Sequence, residues 1–370
     1  MLETMRIVRA TRALATMGAA AAVFLTACSS GGTVTQTSPS SPSSPSSATA
    51  RDISFTSGGD TIYGTFQPAK GSRHPGVAVL IIAGSGATDR NGNDAKLAEG
   101  NTYERFAQLL ADDGVSSLRY DKLASGKTGL ATHANGQGIT FDLFGTEALD
   151  AYRTLAAQPG VDPKKMIILG HSEGGLYALW LANKLAGAPT SPHALILAST
   201  VGLRFIDLLE EQYTAGYRAE AAAGKITPAA ADLLIQQLNT AFASIRAGQG
   251  VTTQLDDKSL AALLSPTNVP FLEQEDQQDP AALAKSLGPS MPVLVLHGTK
   301  DSQVSAADTA PLLTALQGDS AVVHDEVPDA NHLYQQITGT PNPAADYVDT
   351  SLPMAPQVGP DFTSFLQHAF

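Results

Sequence analysis

Met166-Ile167-Ile168-Leu169-Gly170-His171-Ser172-Glu173-Gly174-Gly175 is the stretch whose reading decides the fold. It opens with an apolar run of strand length, and residues 175–186 behind it are amphipathic at helical spacing. Between strand and helix the chain must reverse within a few residues around Ser172. A turn that sharp holds its central residue in a strained backbone, at a cost of roughly 1–3 kcal/mol. Bulky side chains two positions to either side would collide, and Gly170 and Gly174 remove them. The helix that starts behind Ser172 aims N–H groups and its positive dipole end at charge forming near the serine oxygen. Gly-x-Ser-x-Gly by itself occurs often by chance. Set between a buried strand and a helix, it marks Ser172 as a nucleophile.

Working outward, the chain alternates strand and helix signals on both sides. Upstream, residues 53–55 and 61–66 around Ser57-Gly58-Gly59-Asp60 predict an antiparallel hairpin. Residues 76–82 form a continuous apolar run, as expected of a strand covered on both faces. A helix over 103–111, a strand over 115–119 and a helix over 141–157 follow. Downstream come strands at 194–198, 292–296 and 321–327, with helices over 306–316 and 362–370. Such alternation implies an α/β architecture: a mostly parallel central sheet flanked by helices, with right-handed crossovers. It lapses between 203 and 290, which are rich in Ala, Leu and Gln with no clear strand, and where Thr227-Pro228 is a good helix start. The expected organisation is therefore a core of 51–202 plus 291–370, with a helical cap at 203–290 inserted before the last two strands.

A serine hydroxyl is a weak nucleophile until a base takes its proton, so an acid and a histidine must follow at the ends of late strands. Asp301 lies just past the strand at 292–296, and His332 follows the last strand in Pro328-Asp329-Ala330-Asn331-His332. Competing residues are placed worse. His297 ends a strand, His324 lies inside one, and His171 is too close along the turn to reach round to the hydroxyl. Asp308 falls in a helix, Asp325 in a strand, and Asp329 is too near His332 in sequence. The catalytic set expected is Ser172, Asp301 and His332.

The loop after residues 76–82 reads Ala83-Gly84-Ser85-Gly86-Ala87-Thr88-Asp89-Arg90-Asn91-Gly92-Asn93. Its glycines let backbone approach a carbonyl oxygen closely. An oxyanion hole is expected from the N–H of Ser85 or Gly86 together with that of Glu173. Gly84-Ser85-Gly86, Asp89–Asn93, Arg119-Tyr120-Asp121-Lys122 and the Ser172 turn, with Asp301 and His332, resemble a bacterial group of α/β-hydrolases over residues 51–370. That group contains carboxylesterases and relatives of the prolyl-oligopeptidase and acyl-CoA thioesterase families. The resemblance implies an α/β-hydrolase fold and ester or thioester hydrolysis without a cofactor. The His-Gly-Gly-Gly motif of many lipases is absent, which argues against a large triglyceride substrate.

Bulk properties set the remaining bounds. Hydrophobic residues make up 43% and charged residues 16%, which is globular composition. A net charge of −12 repels phosphate backbones, so nucleic acid is not an expected partner. The single cysteine, Cys28, excludes an internal disulfide framework and a multi-cysteine metal site. Arg6, Arg9 and Arg12 precede an apolar run over 13–27 that is short for a membrane span of ~20 residues, so 1–27 reads as a signal peptide. Leu25-Thr26-Ala27-Cys28 resembles a bacterial lipobox, which implies a lipid-anchored Cys28 on the outer face of the cell envelope. Residues 29–50 are nearly all Ser, Thr, Pro, Gly and Ala, a tether that cannot bury enough apolar surface to order itself.

Two apparent motifs fail on inspection. Ser125-Gly126-Lys127-Thr128 ends like a phosphate-binding loop, but Asp121 stands where its first glycine is required. Asp89–Asp94 has its glycine at the fourth position rather than the sixth of a calcium loop, and reads as a turn braced by Arg90. Neither metal nor cofactor is expected. Leu233, Leu234, Leu238 and Phe242 recur at helical spacing and are expected to pack the cap onto the core, some of them lining an acyl pocket. The expected activity is hydrolysis of a carboxylic ester with a small or medium acyl group. A peptidase, thioesterase or acyltransferase on the same residues, or a catalytically silent envelope-binding lipoprotein, are the alternatives.

Overall fold

The computed structural model describes residues 49–94 and 99–370. The signal segment, Cys28 and most of the tether lie outside the described residues. Eight strands form one sheet: β1 (Arg51–Ser57), β2 (Asp60–Gln67), β3 (Ala78–Ile82), β4 (Ser116–Tyr120), β5 (Met166–His171), β6 (Ala194–Ala198), β7 (Val293–Gly298) and β8 (Val322–Val327). Their order is β1-β2-β4-β3-β5-β6-β7-β8. β1 pairs antiparallel with β2 and β2 with β4; every later pairing is parallel. The expected hairpin is present, its turn made by Gly58 at φ 58° and Gly59 at φ 97°. Several parallel strands begin or end a residue or two later than the apolar pattern predicts, and polar residues such as His171 and His297 stay in the ladder. Backbone pairing continues there after the apolar requirement has ended.

The helices are α1 (Thr102–Asp112), α2 (Phe141–Ala156), α3 (Glu173–Lys184), α4 (Phe205–Ala222), α5 (Pro228–Arg246), α6 (Lys258–Leu263), α7 (Val269–Asp276), α8 (Pro280–Lys285), α9 (Ala306–Ala315), α10 (Pro343–Asp346) and α11 (Val358–Ala369). Alternate residues of the central strands feed two cores. Leu80, Ile168, Leu195 and Val295 pack with Phe141, Tyr152 and Leu179 on one face. Val79, Ile81, Ile167 and Leu294 pack with Phe106, Phe362 and Phe365 on the other. Each strand is thus buried on both sides, which explains its unbroken apolar run.

Helices α4 to α8 lie between β6 and β7, where the alternation lapses. Thr227 caps α5 as its sequence suggests, its side chain accepting from the Ala230 N–H. The cap has a core of its own, built from Ile206, Leu209, Tyr217, Leu238, Phe242 and Ile245. This corrects the expectation for the apolar stripe of α5. Leu238 and Phe242 are buried within the cap, Leu234 packs at its edge, and Leu233 is exposed. Within the cap, Asp276 at the end of α7 ties together the start of α4 and the end of α5. Its carboxylate takes Arg204 Nη2 (2.5 Å), Arg246 Nε (2.8 Å) and the N–H of Ile206 (3.0 Å). Among the described residues no helix is long and apolar enough to cross a membrane.

Candidate active site

Ser172 stands between β5 and α3 at φ 55°, ψ −124°. The glycines around it are a steric necessity. A Cβ on Gly170 would strike the Gly174 carbonyl, and one on Gly174 would strike that of Ile82. The turn is pinned at Ser172, whose N–H donates to the Ala198 carbonyl (2.8 Å). Residues bound so firmly hold a strained backbone that would otherwise relax.

Asp301 and His332 arrive from the loops after β7 and β8. His332 Nδ1 lies 2.8 Å from Asp301 Oδ2, and both side chains are buried. Asp301 Oδ1 accepts from the N–H groups of Gln303 (2.9 Å) and Val304 (3.0 Å). Burial pushes the Asp301 carboxyl upward, but the His332 charge and these hydrogen bonds outweigh it and hold the group below its usual range. An ionised Asp301 can only accept, so the proton sits on His332 Nδ1 and leaves Nε2 free to act as a base. The rival acid, Asp329, is half-exposed and paired with Lys300 at 2.7 Å. His297 is buried and donates to the Val304 carbonyl (3.0 Å), which braces the Asp301 loop. His324 is exposed on β8.

His171 connects the serine turn to the loop that carries His332. Its Nε2 lies 2.8 Å from the His332 carbonyl, which can only accept, so Nε2 carries the proton. Nδ1 then accepts from Tyr103 Oη (3.0 Å), and that hydroxyl in turn accepts from the Gly84 N–H (2.8 Å). Burial, with the neighbouring His332 charge, drives the His171 pKa down to about 3. This neutral histidine ties the Gly84 loop, the serine turn and the His332 loop together, and its ring centroid is 4.7 Å from that of His332.

The expected oxyanion residues meet at the same place. Ser85, Ser172 and Glu173 line one cleft of about 820 Å³ including its open mouth, with Leu208, Leu209 and Glu275 of the cap on its far side. Among the described residues nothing accepts from the N–H of Ser85 or of Glu173. Gly86 adopts φ 76° and does not line the cleft. A second pocket of about 520 Å³, again including its open mouth, also touches Ser85 and Glu173, and is walled by Ile139, Phe144, Phe205, Leu263, Phe271 and Leu272. The α5 residues proposed for an acyl pocket are not among its walls. Their places are taken by α7 and the start of α4, whose apolar residues are too few to show a stripe.

Sequence reading missed four polar residues here: Tyr103, Lys122, Glu147 and Glu275. Lys122 Nζ donates to the Gly84 carbonyl (2.7 Å) and lies 3.7 Å from Glu173 Oε2. Burial pushes the Glu275 carboxyl well above its usual range, and the charge and hydrogen bond of Glu173 add to this. Burial likewise raises Glu147 to about 8, against the Leu123 N–H and the Lys122 charge that pull it down. Only Lys122 carried a signal, through Arg119-Tyr120-Asp121-Lys122 at a strand end that faces the site.

The apparent motifs have structural roles. Asp121 takes the Arg90 N–H (2.7 Å), Arg90 Nε (3.1 Å) and the Lys127 N–H (2.9 Å), and Gly126 packs directly on its carboxylate. An internal carboxylate thus occupies the place a phosphate would need. Asp89 Oδ1 accepts from the N–H groups of Asn91 (2.8 Å) and Asn93 (3.0 Å), closing the expected turn. Among the described residues no group of three or more His, Cys, Asp or Glu could hold a metal ion.

No family model matches the chain, and no curated protein matches it. Solved structures do. The proline iminopeptidase of Mycobacterium smegmatis has a TM-score of 0.53 at 16% identity, over 86% of this chain and 99% of that one. A lipase in its open form has a TM-score of 0.53 at 18% identity, over 87% and 99%. An esterase of Pyrococcus furiosus has a TM-score of 0.50 at 13% identity, over 86% and 90%. At such identities the likeness speaks for the backbone alone, and with the sheet order and the Ser172 turn it establishes that the chain has the α/β-hydrolase fold.

Proposed function

We propose that the chain is a serine hydrolase that cleaves carboxylic esters through an acyl-enzyme. The observation that carries this reading is the Asp301–His332 pair, tied through His171 to the strained turn at Ser172. In this reading His332 Nε2 takes the Ser172 proton as Oγ attacks the acyl carbon. Asp301 stabilises the imidazolium through Nδ1. The N–H groups of Ser85 and Glu173 receive the oxyanion, a contribution worth about 10²–10³ in turnover per donor. The imidazolium then protonates the leaving oxygen, and water activated by the same base releases the acid.

The apolar cavity walled by Phe144, Phe205 and Phe271 supports an acyl arm of small to medium length. The cleft beside Glu275 is left for the other arm of the substrate. Following the lipobox resemblance, we also place the mature protein on the outer face of the envelope, anchored at Cys28.

Incubation of the purified protein with p-nitrophenyl butyrate and a fluorophosphonate probe tests the assignment. Turnover and a single adduct on Ser172 are expected, both lost in Ser172→Ala. Undiminished turnover in that variant would refute the mechanism. Parallel assays with a thioester, an aminoacyl amide and an alcohol acceptor separate esterase from thioesterase, peptidase and acyltransferase. Metabolic labelling with palmitate, lost in Cys28→Ala, checks the anchor.

A further inference from the structure

Lys122 has no part in the mechanism above, yet it is buried at the back of the site with 6% of its surface exposed. A lysine is rarely buried without a partner, because its ammonium loses its hydration. The partners here are informative. The shorter contact, 2.7 Å, is to the Gly84 carbonyl, and the longer, 3.7 Å, to the Glu173 carboxylate. Gly84 precedes Ser85 and Glu173 follows Ser172, so one ammonium touches both segments that offer an N–H to the cleft.

Peptide geometry turns the first contact into an orientation. The Gly84 carbonyl and the Ser85 N–H belong to one peptide unit, which is planar and trans, with C=O and N–H pointing in opposite directions. Holding the carbonyl toward Lys122 therefore turns the Ser85 N–H away from it, to the side where Ser85 and Ser172 line the cleft. Gly84 is fixed at its other end too, because its N–H is bound by Tyr103 Oη. Its α-carbon hydrogen faces Ser172 so closely that a Cβ there would lie 3.1 Å from the serine Cβ. A cation on the carbonyl also draws electron density out of the amide, which makes the N–H on the far side a stronger donor.

We propose that Lys122 is a positioning residue for the oxyanion hole: it orients and polarises the Ser85 N–H through the Gly84 carbonyl, while its charge holds Glu173. The inference rests on the reading of Ser172 as nucleophile. It also separates the two candidate donors, in favour of Ser85 over Gly86.

Lys122→Met removes the charge and the donor at nearly constant length. With p-nitrophenyl butyrate, kcat should fall by about 10- to 100-fold, somewhat less than for outright loss of a donor. KM should stay within about twofold, because the contact strengthens only as the oxyanion forms. Affinity for butylboronic acid, which forms a tetrahedral adduct on Ser172, should fall by the same factor as kcat, while butyrate inhibition is unchanged. Lys122→Arg should recover part of the loss. An unchanged kcat, or a fall in kcat with no loss of boronate affinity, overturns the proposal. Should Lys122→Met fail to fold, Lys122→Gln, which keeps a neutral donor, carries the same comparison with a smaller expected loss. Amide NMR of the wild-type protein supplies a readout without mutation. The Ser85 proton should move downfield with that of Glu173 when boronate binds, and movement of Gly86 in its place refutes the orientation. A wild-type protein that fluorophosphonate does not label at Ser172 would sink the hydrolase reading itself. A labelled wild type matched by an equally fast Lys122→Met sinks this inference alone.

Discussion

Acidification should destabilise this protein through one histidine far more than through an average one. His171 is buried, donates through Nε2 to the His332 carbonyl and accepts at Nδ1 from Tyr103, so it has no room for a second ring proton. Its pKa falls from the ordinary 6.5 to about 3. Between those values the unfolded chain binds a proton that the native chain refuses. The contribution is therefore fully present above pH 6.5 and is lost as pH falls toward 3, at about 1.4 kcal/mol per unit. From pH 7 to pH 4.5 the loss comes to about 2–3 kcal/mol. In His171→Gln the amide can still donate to the His332 carbonyl and accept from Tyr103, but it does not titrate. Its lost packing lowers stability by a fixed amount at every pH. Glu147, raised to about 8, pulls the other way: its contribution is present below pH 4.5 and lost as pH rises through 8. That term is common to both proteins and cancels in their difference. Urea unfolding of the two proteins at pH 7 and pH 4.5 should show wild type losing about 2–3 kcal/mol more than the variant. An identical loss in both would refute a neutral, doubly bonded His171.

Four further outcomes follow from packing. In Gly174→Ala the new methyl must displace the Ile82 carbonyl, so we expect a loss of about 3 kcal/mol and slower fluorophosphonate labelling by at least about 10-fold; Gly216→Ala, open on all sides within α4, should gain about 0.5–1 kcal/mol in the same melts. In Asp276→Ala, Arg204 and Arg246 lose their shared carboxylate but stay partly solvated, costing about 2–3 kcal/mol. The cap should then be cut by trypsin at these arginines well before the core is digested. In Phe271→Trp the apolar cavity is partly filled, so KM for a hexanoyl ester should rise by about 10-fold while that for an acetyl ester stays within about twofold. Equal effects on both esters would remove this cavity as the acyl site.

Much of the fold could be read from sequence because its signals are local. The runs that became β3, β5, β6 and β7 are apolar without interruption, since each is covered on both faces, and that pattern needs no knowledge of its neighbours. The turn at Ser172 is local too, because the glycines it demands lie within two residues of the serine. The meeting of Asp301 with His332 could be foreseen because each loop after a late strand offers few acids or histidines. Leu238 and Phe242 were placed only as far as the cap. Their helical spacing says that α5 has a buried face, and nothing in it says whether that face meets the sheet or, as found, α4.

What escaped the sequence is of a different kind. Lys122 reaches Gly84 only because β4 inserts between β2 and β3, out of chain order, so that the ends of β3 and β4 are adjacent. Tyr103 meets His171 because α1 packs on the sheet face lined by Ile167 and Leu169, and Glu275 meets Glu173 because α7 folds down over the cleft. In the proposed mechanism the attacking groups must be particular residue types, since few side chains can be a nucleophile or a base near neutral pH. Their supports have no such restriction. A carbonyl can be held by lysine, arginine, histidine, tyrosine or an amide, and the choice among them is made by which element passes nearby. The chemistry of the site is therefore written in residue types, and its support in topology. A lysine at the end of a strand becomes informative only after the strand order has been determined.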